Sequence, residues 1–332
     1  MSSHDTLSVC IHGVSGYTGA ECLRWVLNHP RLRLVGATAQ KAAGKPVSAL
    51  WPRLGAALDL TVSREPVEAD AHLLCLPHGQ AVALAPQLSG FIIDLSGDHR
   101  LAEPDHSAAY GYARATAPWL YGLPELGHSR YAGEKRVANP GCFATALELA
   151  LLPMAAQLPD ILHATGLTGS TGSGVTPTET THHPARDENL RPYKVLNHQH
   201  VPEVLRALTE AGARSLPSLQ FVPISAPLRR GILVAIPLPG ATIENYQAFY
   251  GGNLLAAVSD QPPDVLSVAG TPLARIGVVH SPVSGTRGAT GTVVFCAIDN
   301  LARGAGSQAV ANLNLLAGWP VDLGLTALGP LV

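Results

Sequence analysis

The sequence predicts an α/β protein in two parts: a parallel-sheet domain, then an α+β domain on a mixed sheet, closed by a C-terminal helix. Three observations carry this. Residues 7–38 read as strand, glycine-rich turn, helix and strand within about 30 residues, the length of a βαβ unit. Strand-like runs at 71–76 and 91–95 continue at α/β intervals. Later, apolar alternation recurs at 219–224, 231–236 and 291–298 across hairpin-like gaps, and a helical pattern over Ala309, Val310, Leu313 and Leu316 follows.

The totals bound what such a chain does. Its 332 residues suffice for two domains, and 46% apolar with 14% charged residues describes an ordinary globular protein with ample core. A net charge of −2 without a basic stripe argues against a nucleic-acid partner. No run of 18 apolar residues suggests a membrane span. Five cysteines, Cys10, Cys22, Cys75, Cys142 and Cys296, are scattered and odd in number, a cytosolic usage rather than a disulfide framework. Cys10, Cys75 and Cys296 sit in apolar runs and read as core thiols. His4 and Asp5 lead directly into a strand, so no signal peptide is expected and the location should be cytoplasmic.

Taken in order, Leu7, Val9 and Ile11 alternate with Ser8, Cys10 and His12 as a buried strand. The turn that follows, Gly13-Val14-Ser15-Gly16-Tyr17-Thr18-Gly19, has the spacing G-x-x-G-x-x-G, and Ala20, Leu23, Val26 and Leu27 mark a helix after it. Glycines let backbone approach a pyrophosphate, and the helix N-terminus supplies N–H donors. Gly13, Ser15, Gly16, Tyr17, Thr18 and Gly19 are therefore dinucleotide-binding candidates in a Rossmann-type domain. NAD-preferring domains place an acidic residue after the second strand. Here no Asp or Glu occurs between Glu21 and Asp59, and the second strand, 32–38, ends in Thr38-Ala39-Gln40-Lys41. A hydroxyl on Thr38 and a cation on Lys41 suit a 2′-phosphate, which favours NADP(H); the bland alternative is a solvated basic face.

The next strands end in Pro77-His78-Gly79 and Ser96-Gly97-Asp98-His99-Arg100. Ligands of open parallel sheets bind beyond the carboxyl ends of the strands, so Pro77, His78, Asp94, Ser96 and Arg100 are candidates to line a site. Arg100 could hold a phosphate or carboxylate with its planar fork, or make a surface salt bridge. Residues 102–135 are rich in Pro, Gly and aromatics and read as irregular connection; a short strand, 136–138, follows.

That strand delivers the chain to Asn139-Pro140-Gly141-Cys142-Phe143-Ala144-Thr145, where a Pro-Gly pair runs into an apolar helical pattern. Cys142 then lies in a first helical turn, where free N–H groups and the helix dipole favour the thiolate. The competing reading is a small buried thiol. Residues 162–174 look like a polar, small-residue stretch, with Gly169-Ser170-Thr171-Gly172-Ser173-Gly174 a flexible loop rich in exposed N–H groups. Residues 175–200 read as a long functional loop. It carries His182, His183, Arg186, Arg191, Tyr193 and Lys194, and ends at His198-Gln199-His200-Val201-Pro202-Glu203. These histidines lack recognised ligand spacing with Cys or Asp, so no metal is expected. The His198/His200 pair reads better as a source of a general acid/base. Arg229-Arg230, at a strand start, could clamp anionic groups.

A nucleotide site, a helix-start cysteine and a histidine loop suit one reaction class. The thiolate attacks an acyl carbon to form a thioester, NADPH supplies hydride, a histidine moves the proton, and arginines neutralise phosphate or carboxylate. Arg100, Arg230 and Tyr193 are the substrate-binding candidates. Rival readings are a cysteine hydrolase or acyltransferase without a redox cofactor, and a catalytically silent NADP-binding sensor.

The chain also resembles the N-acetyl-gamma-glutamyl-phosphate reductase family. The residues that carry the likeness are Gly13-x-x-Gly16-Tyr17-Thr18-Gly19, Leu76-Pro77-His78-Gly79, Tyr121-Gly122-Leu123-Pro124-Glu125 and Asn139-Pro140-Gly141-Cys142. His198-x-His200-x-Pro202-Glu203, Arg229-Arg230-Gly231-Ile232 and Ala297-Ile298-Asp299-Asn300-Leu301 complete it. The resemblance implies an NADP-dependent enzyme of arginine biosynthesis acting on an acyl phosphate, as a homodimer or homotetramer. It implies Cys142 as nucleophile and His198 with His200 as acid/base, His200 preferred and Glu203 orienting. It also implies that Ser170, Gly172 and Asn312 line the cofactor. Phe143-Ala144-Thr145 stands where Tyr-Pro-Thr is usual, Asp98-His99-Arg100 where Asp-Phe-Arg is usual, and Ser170–Gly174 departs from the common Ser-Gly-Ala-Gly ending. These departures leave an N-acetyl, N-succinyl or carrier-linked aminoadipyl substrate open, with aspartyl phosphate a further alternative. The expected domains are 1–141 with 300–332 for the dinucleotide, and 142–299 for catalysis and oligomerisation.

Overall fold

Four strands of the first half are short apolar runs, the pattern of strands covered on both faces. They belong to β1 (Leu7–His12), β2 (Leu32–Thr38), β3 (Ala71–Leu74) and β4 (Phe91–Asp94), joined by β5 (Leu120–Tyr121) and β6 (Arg136–Ala138). The computed structural model describes residues 6–58, 60–113, 117–281 and 291–325. It divides into two units, one formed by the chain up to Gly141 with the segment from Ala305 onward, the other by Cys142–Gly304.

In the first unit the sheet order is β2-β1-β3-β4-β6-β5, with every pair parallel. Helix α1 (Tyr17–Asn28) connects β1 to β2 and buries Cys22, Leu23, Trp25 and Val26. The C-terminal helix Ser307–Leu316 returns to this unit and packs on α1. A Cβ at Gly306, just before it, would fall 3.0 Å from the Glu21 side chain and 3.1 Å from the Cys22 nitrogen. Asn312 then ties the helix to the irregular connection. It accepts from the Tyr131 hydroxyl at 2.7 Å and donates to the Gly122 carbonyl and Asn139 Oδ1, both at 2.9 Å. Buried polar groups satisfied in this way fix one packing of the helix.

The second unit is a seven-stranded mixed sheet. Its strands are β7 (Ile161–Thr168), β8 (Arg191–Pro192), β9 (Ser218–Ser225), β10 (Ile232–Pro237), β11 (Ala256–Ser259), β12 (Ala274–His280) and β13 (Thr292–Ile298), in the order β11-β12-β13-β10-β7-β9-β8. Helices α2 (Cys142–Leu151), α3 (Val201–Glu210) and α4 (Ile243–Tyr250) contribute to its core, with Phe143, Leu147 and Leu151 packed among Phe221, Ile232, Val234 and Val294. The last carbonyls of a helix lack intrahelical partners. Here α4 supplies them: Tyr246 donates to Ala150 O at 2.5 Å and Tyr250 to Leu149 O at 2.6 Å.

Three expectations fail locally. The stretch read as polar and small is β7, a central strand between β9 and β10. Its inward residues, Leu162, Ala164, Gly166 and Thr168, are mostly small because Phe143 and Phe221 fill the space: a Cβ at Gly166 would lie 2.5 Å from Phe143. For the same reason the gap between β9 and β10 is not a hairpin, since β7 lies between them. Strands β11 and β12 and helix α4 carry no pattern that the sequence reading recognised. Cys10 and Cys296 are buried as expected, but Cys75 is partly exposed. Among the described residues no helix is long and apolar enough to cross a membrane.

Candidate active site

The turn after β1 assigns its three glycines different duties. Gly13 has φ +84°, and a Cβ there would fall 2.2 Å from the Cys75 carbonyl oxygen. A Cβ at Gly19 would fall 2.3 Å from Gly13 O. Both are demanded by the protein's own packing. Gly16 is different: its φ is −85° and a Cβ would meet only Gly13 O, at 3.5 Å. It is the N-cap of α1, whose first turn contains no acidic residue. The first-turn N–H groups thus point past a bare glycine, with Ser15 exposed and Tyr17 and Thr18 partly exposed beside it. This surface fits the pyrophosphate of a dinucleotide.

Around that turn the candidates separate. Lys41 is exposed beyond the end of β2, but Thr38 is buried and its hydroxyl lies 3.3 Å from His12 Nδ1. The hydroxyl expected to meet a 2′-phosphate is thus engaged with His12, because the end of β2 lies against β1. Pro77 and His78 are exposed after β3, and His78 Nδ1 accepts from the Gly97 N–H at 2.8 Å. Arg100 is 4% exposed and donates to Leu95 O at 2.8 Å, so it is no surface salt-bridge residue. Its neighbour His99 stacks on Trp119 at 3.7 Å and meets Asp94 at 2.7 Å. Asn312 is 0% exposed and its amide is held by Tyr131, Gly122 and Asn139. In this fold that amide holds the C-terminal helix to the irregular connection.

In the second unit Cys142 is the first residue of α2 and is partly exposed. Its helix is buried from Phe143 to Leu151, so the cysteine sits at the open end of a fixed rod. Cys142 and Tyr193 pack on the same core. The Tyr193 hydroxyl is held well above the usual phenol range, first by burial and then by charge at Cys142. His198 meets Phe143 edge-on at 5.6 Å, Tyr193 at 5.8 Å and His200 at 4.7 Å. Burial, then the neighbouring His200 and Lys194, push His198 down to about 2. Its Nδ1 accepts from the His200 backbone N–H at 3.2 Å. His198 is therefore neutral at neutral pH. His200 Nε2 lies 3.9 Å from Glu203 Oε1, in the first turn of α3, and that carboxylate is fully buried. The structure thus gathers Cys142, Tyr193, His198, His200 and Glu203 in one unit.

The glycine/serine loop after β7 is not the free rack of donors that its composition suggests. Gly169, Ser170 and Thr171 donate their N–H groups to Gly231, Leu228 and Arg229 carbonyls at 3.0, 2.7 and 3.0 Å. Gly172 and Gly174 donate within the loop. Ser170 is partly exposed and Gly172 exposed, so what they offer a ligand is surface rather than the N–H groups. Asn300 holds the loop by donating to Thr171 Oγ1 at 3.0 Å and accepting from the Gly231 N–H at 2.7 Å. Arg230 donates to Asp299 Oδ1 at 2.8 Å, and the buried Asp299 also accepts from the Leu301 and Ala302 N–H groups. Arg230 is thus partly neutralised but still partly exposed.

Sequence reasoning missed Gly304. A Cβ there would lie 2.7 Å from the Cys142 Cβ and 3.1 Å from its Cα. The glycine leaves room for the cysteine, and only its place in the fold reveals this.

Two protein families match the chain: the semialdehyde dehydrogenase NAD binding domain over residues 8–133 and the semialdehyde dehydrogenase dimerisation domain over residues 142–300. Curated relatives named N-acetyl-gamma-glutamyl-phosphate reductase include one from Methanosarcina acetivorans, 39% identical over 96% of this chain and 98% of its own. Another, from Acidothermus cellulolyticus, is 36% identical over 97% and 98%. A third, from Thermus thermophilus, is 35% identical over 95% and 97%. Among solved structures, aspartate semialdehyde dehydrogenase II of Vibrio cholerae superposes with a TM-score of 0.71 at 16% identity, over 94% of this chain and 98% of that one. The enzyme of Candida albicans, solved with NADP, gives 0.64 at 14% identity, over 94% and 99%. These structural likenesses establish the fold alone.

Proposed function

The chain belongs to the N-acetyl-gamma-glutamyl-phosphate reductase family, and from that premise we propose that it reduces N-acetyl-gamma-glutamyl phosphate to N-acetylglutamate 5-semialdehyde and phosphate in arginine biosynthesis. The observation that carries the reading is a partly exposed cysteine at the head of a buried helix, with a histidine–glutamate pair in the same unit, in a chain matched along nearly its whole length by reductases.

Cys142, as thiolate, attacks the acyl carbon and expels phosphate, leaving a thioester. The start of α2 favours that thiolate through the helix dipole. His200, oriented by Glu203, takes the thiol proton and returns it when the product leaves. Arg230 and Arg100 are the cations that would bind the phosphate and carboxylate of the substrate, and Tyr193 packs on the same core as Cys142. NADPH, when bound, supplies the hydride. Gly13, Ser15, Gly16, Tyr17, Thr18 and Gly19 would hold its pyrophosphate and Lys41 its 2′-phosphate; Pro77 and His78 of the first unit, and Ser170 and Gly172 of the second, are the further residues that would contact it. The match to a dimerisation domain supports a homodimer or homotetramer, and the reading places the enzyme in the cytoplasm.

The test runs the reaction backwards. N-acetylglutamate 5-semialdehyde should reduce NADP only when phosphate is present. N-succinyl, carrier-linked aminoadipyl and aspartyl semialdehydes should give lower kcat/KM. A higher kcat/KM for any of these would reassign the substrate.

A further inference from the structure

We propose that Cys10, His12 and His72, on β1 and β3 of the first unit, form a binding site for a zinc-class divalent cation. All three are buried, and one ligand atom from each lies within 4.8 Å of the other two. The fold builds this group by strand pairing. Cys10 and His72 are Cα partners on β1 and β3, and His12 follows Cys10 by two residues on the same face. Nothing in the spacing 10, 12, 72 announces it, because the third residue comes from a neighbouring strand.

The geometry suits one cation. His12 Nε2 and His72 Nδ1 are 3.1 Å apart. Two imidazole nitrogens at about 2.0–2.1 Å from zinc, at a tetrahedral angle, sit roughly 3.3 Å apart. The groups that face away from the common point have protein partners. His12 Nδ1 meets the Thr38 hydroxyl at 3.3 Å. His72, with Nδ1 turned to His12, also bonds the Ala69 backbone, and the Cys10 sulfur meets the Val67 backbone. Such outer partners orient ligating side chains in metal sites. Room for the sulfur is reserved by Gly36, where a Cβ would fall 2.8 Å from Cys10 Sγ. A thiol and two imidazoles select a borderline-soft ion, since magnesium and calcium take oxygen ligands. On binding, Cys10 releases its proton to solvent and ligates as thiolate, while each imidazole contributes a lone pair.

The alternative is a dry histidine pair sharing one proton, with Cys10 as a packed thiol. The experiment uses the untagged full chain carrying Cys142→Ser, which removes the active-site thiol, freed of metal with a chelator. Anaerobic titration with Co²⁺ should show one cobalt per chain, with tetrahedral visible bands and a thiolate-to-cobalt charge-transfer band, both bleached by Zn²⁺. Adding Cys10→Ser should remove the charge-transfer band and weaken binding roughly tenfold or more, and His72→Gln should weaken it while the charge-transfer band survives. Zn²⁺ should also raise the melting temperature of the parent and not of the Cys10→Ser chain, which tests the site without spectroscopy. Absence of tetrahedral bands in a folded parent, or a charge-transfer band that persists in Cys10→Ser, overturns the proposal.

Discussion

Gly304→Ala is the sharpest probe of how Cys142 is held. The new Cβ would begin 2.7 Å from the Cys142 Cβ, and ordinary contact starts near 3.4 Å, so about 0.7 Å of separation must appear. Neither wall yields easily. The body of α2 behind Cys142 is buried along its length. On the other side, Gly304 donates to Asp299 O at 2.9 Å, and Asp299 also binds the Leu301 and Ala302 N–H groups at 2.9 and 3.0 Å. The displacement therefore falls on the first residue of α2, which is the nucleophile. Misplacing a reacting group by an ångström costs about 10²-fold, so kcat should fall roughly 10- to 100-fold with NADPH affinity unchanged. Phosphate-dependent NADP reduction gives kcat, the rate of Cys142 alkylation by iodoacetamide reports the thiol itself, and a melting curve confirms folding. A folded variant with kcat within about threefold of the parent would refute the reasoning.

Other expectations follow from the same geometry. Cys142→Ser should abolish turnover while NADPH affinity, read by nicotinamide fluorescence, stays nearly unchanged. His200→Asn should lower kcat by roughly 10²–10⁴-fold, and a loss under about tenfold would move the proton to another group. Lys41→Glu should raise KM for NADPH far more than for NADH; equal effects would mean that Lys41 does not meet the 2′-phosphate. Asn312→Ala leaves the Tyr131 hydroxyl, Gly122 carbonyl and Asn139 amide without their shared partner, at about 2–5 kcal/mol, so the melting temperature should fall by several degrees. His198, held near 2 in the fold against about 6.5 unfolded, contributes stability above pH 6.5 that is lost as pH falls toward 2, because the unfolded chain binds the proton first. His198→Gln should flatten the fall in melting temperature between about pH 6.5 and 4.5; an unchanged slope would contradict a buried neutral imidazole.

What the sequence disclosed is what local chemistry dictates. The turn from Gly13 to Gly19 must be glycine-rich for its own backbone, and the residue after Pro140-Gly141 begins a helix for reasons written in those two residues. β7 escaped because its inward positions are small: Phe143 and Phe221, distant in sequence, supply the bulk that would have marked a strand. Gly304 and the hydrogen bonds made by Asn312 and Asp299 escaped for the same reason, since each is defined by a partner that only folding brings near. The loop at Ser170 misled in the opposite direction. Its composition suggests free N–H donors, but carbonyls from the turn before β10 accept those of Gly169, Ser170 and Thr171, and the loop's own carbonyls accept those of Gly172 and Gly174. Thr38 suits a 2′-phosphate by its place after the second strand, whereas in the fold its hydroxyl is buried beside His12 on the adjoining strand.

The central claim is a covalent acyl enzyme on Cys142. The direct measurement is intact-protein and peptide mass spectrometry of the chain incubated with N-acetyl-gamma-glutamyl phosphate in the absence of NADPH. One N-acetylglutamyl adduct per chain is expected, mapped to Cys142, lost on addition of NADPH with release of the semialdehyde, and absent from Cys142→Ser. An adduct on another residue, or none while the enzyme turns over with NADPH, would contradict it.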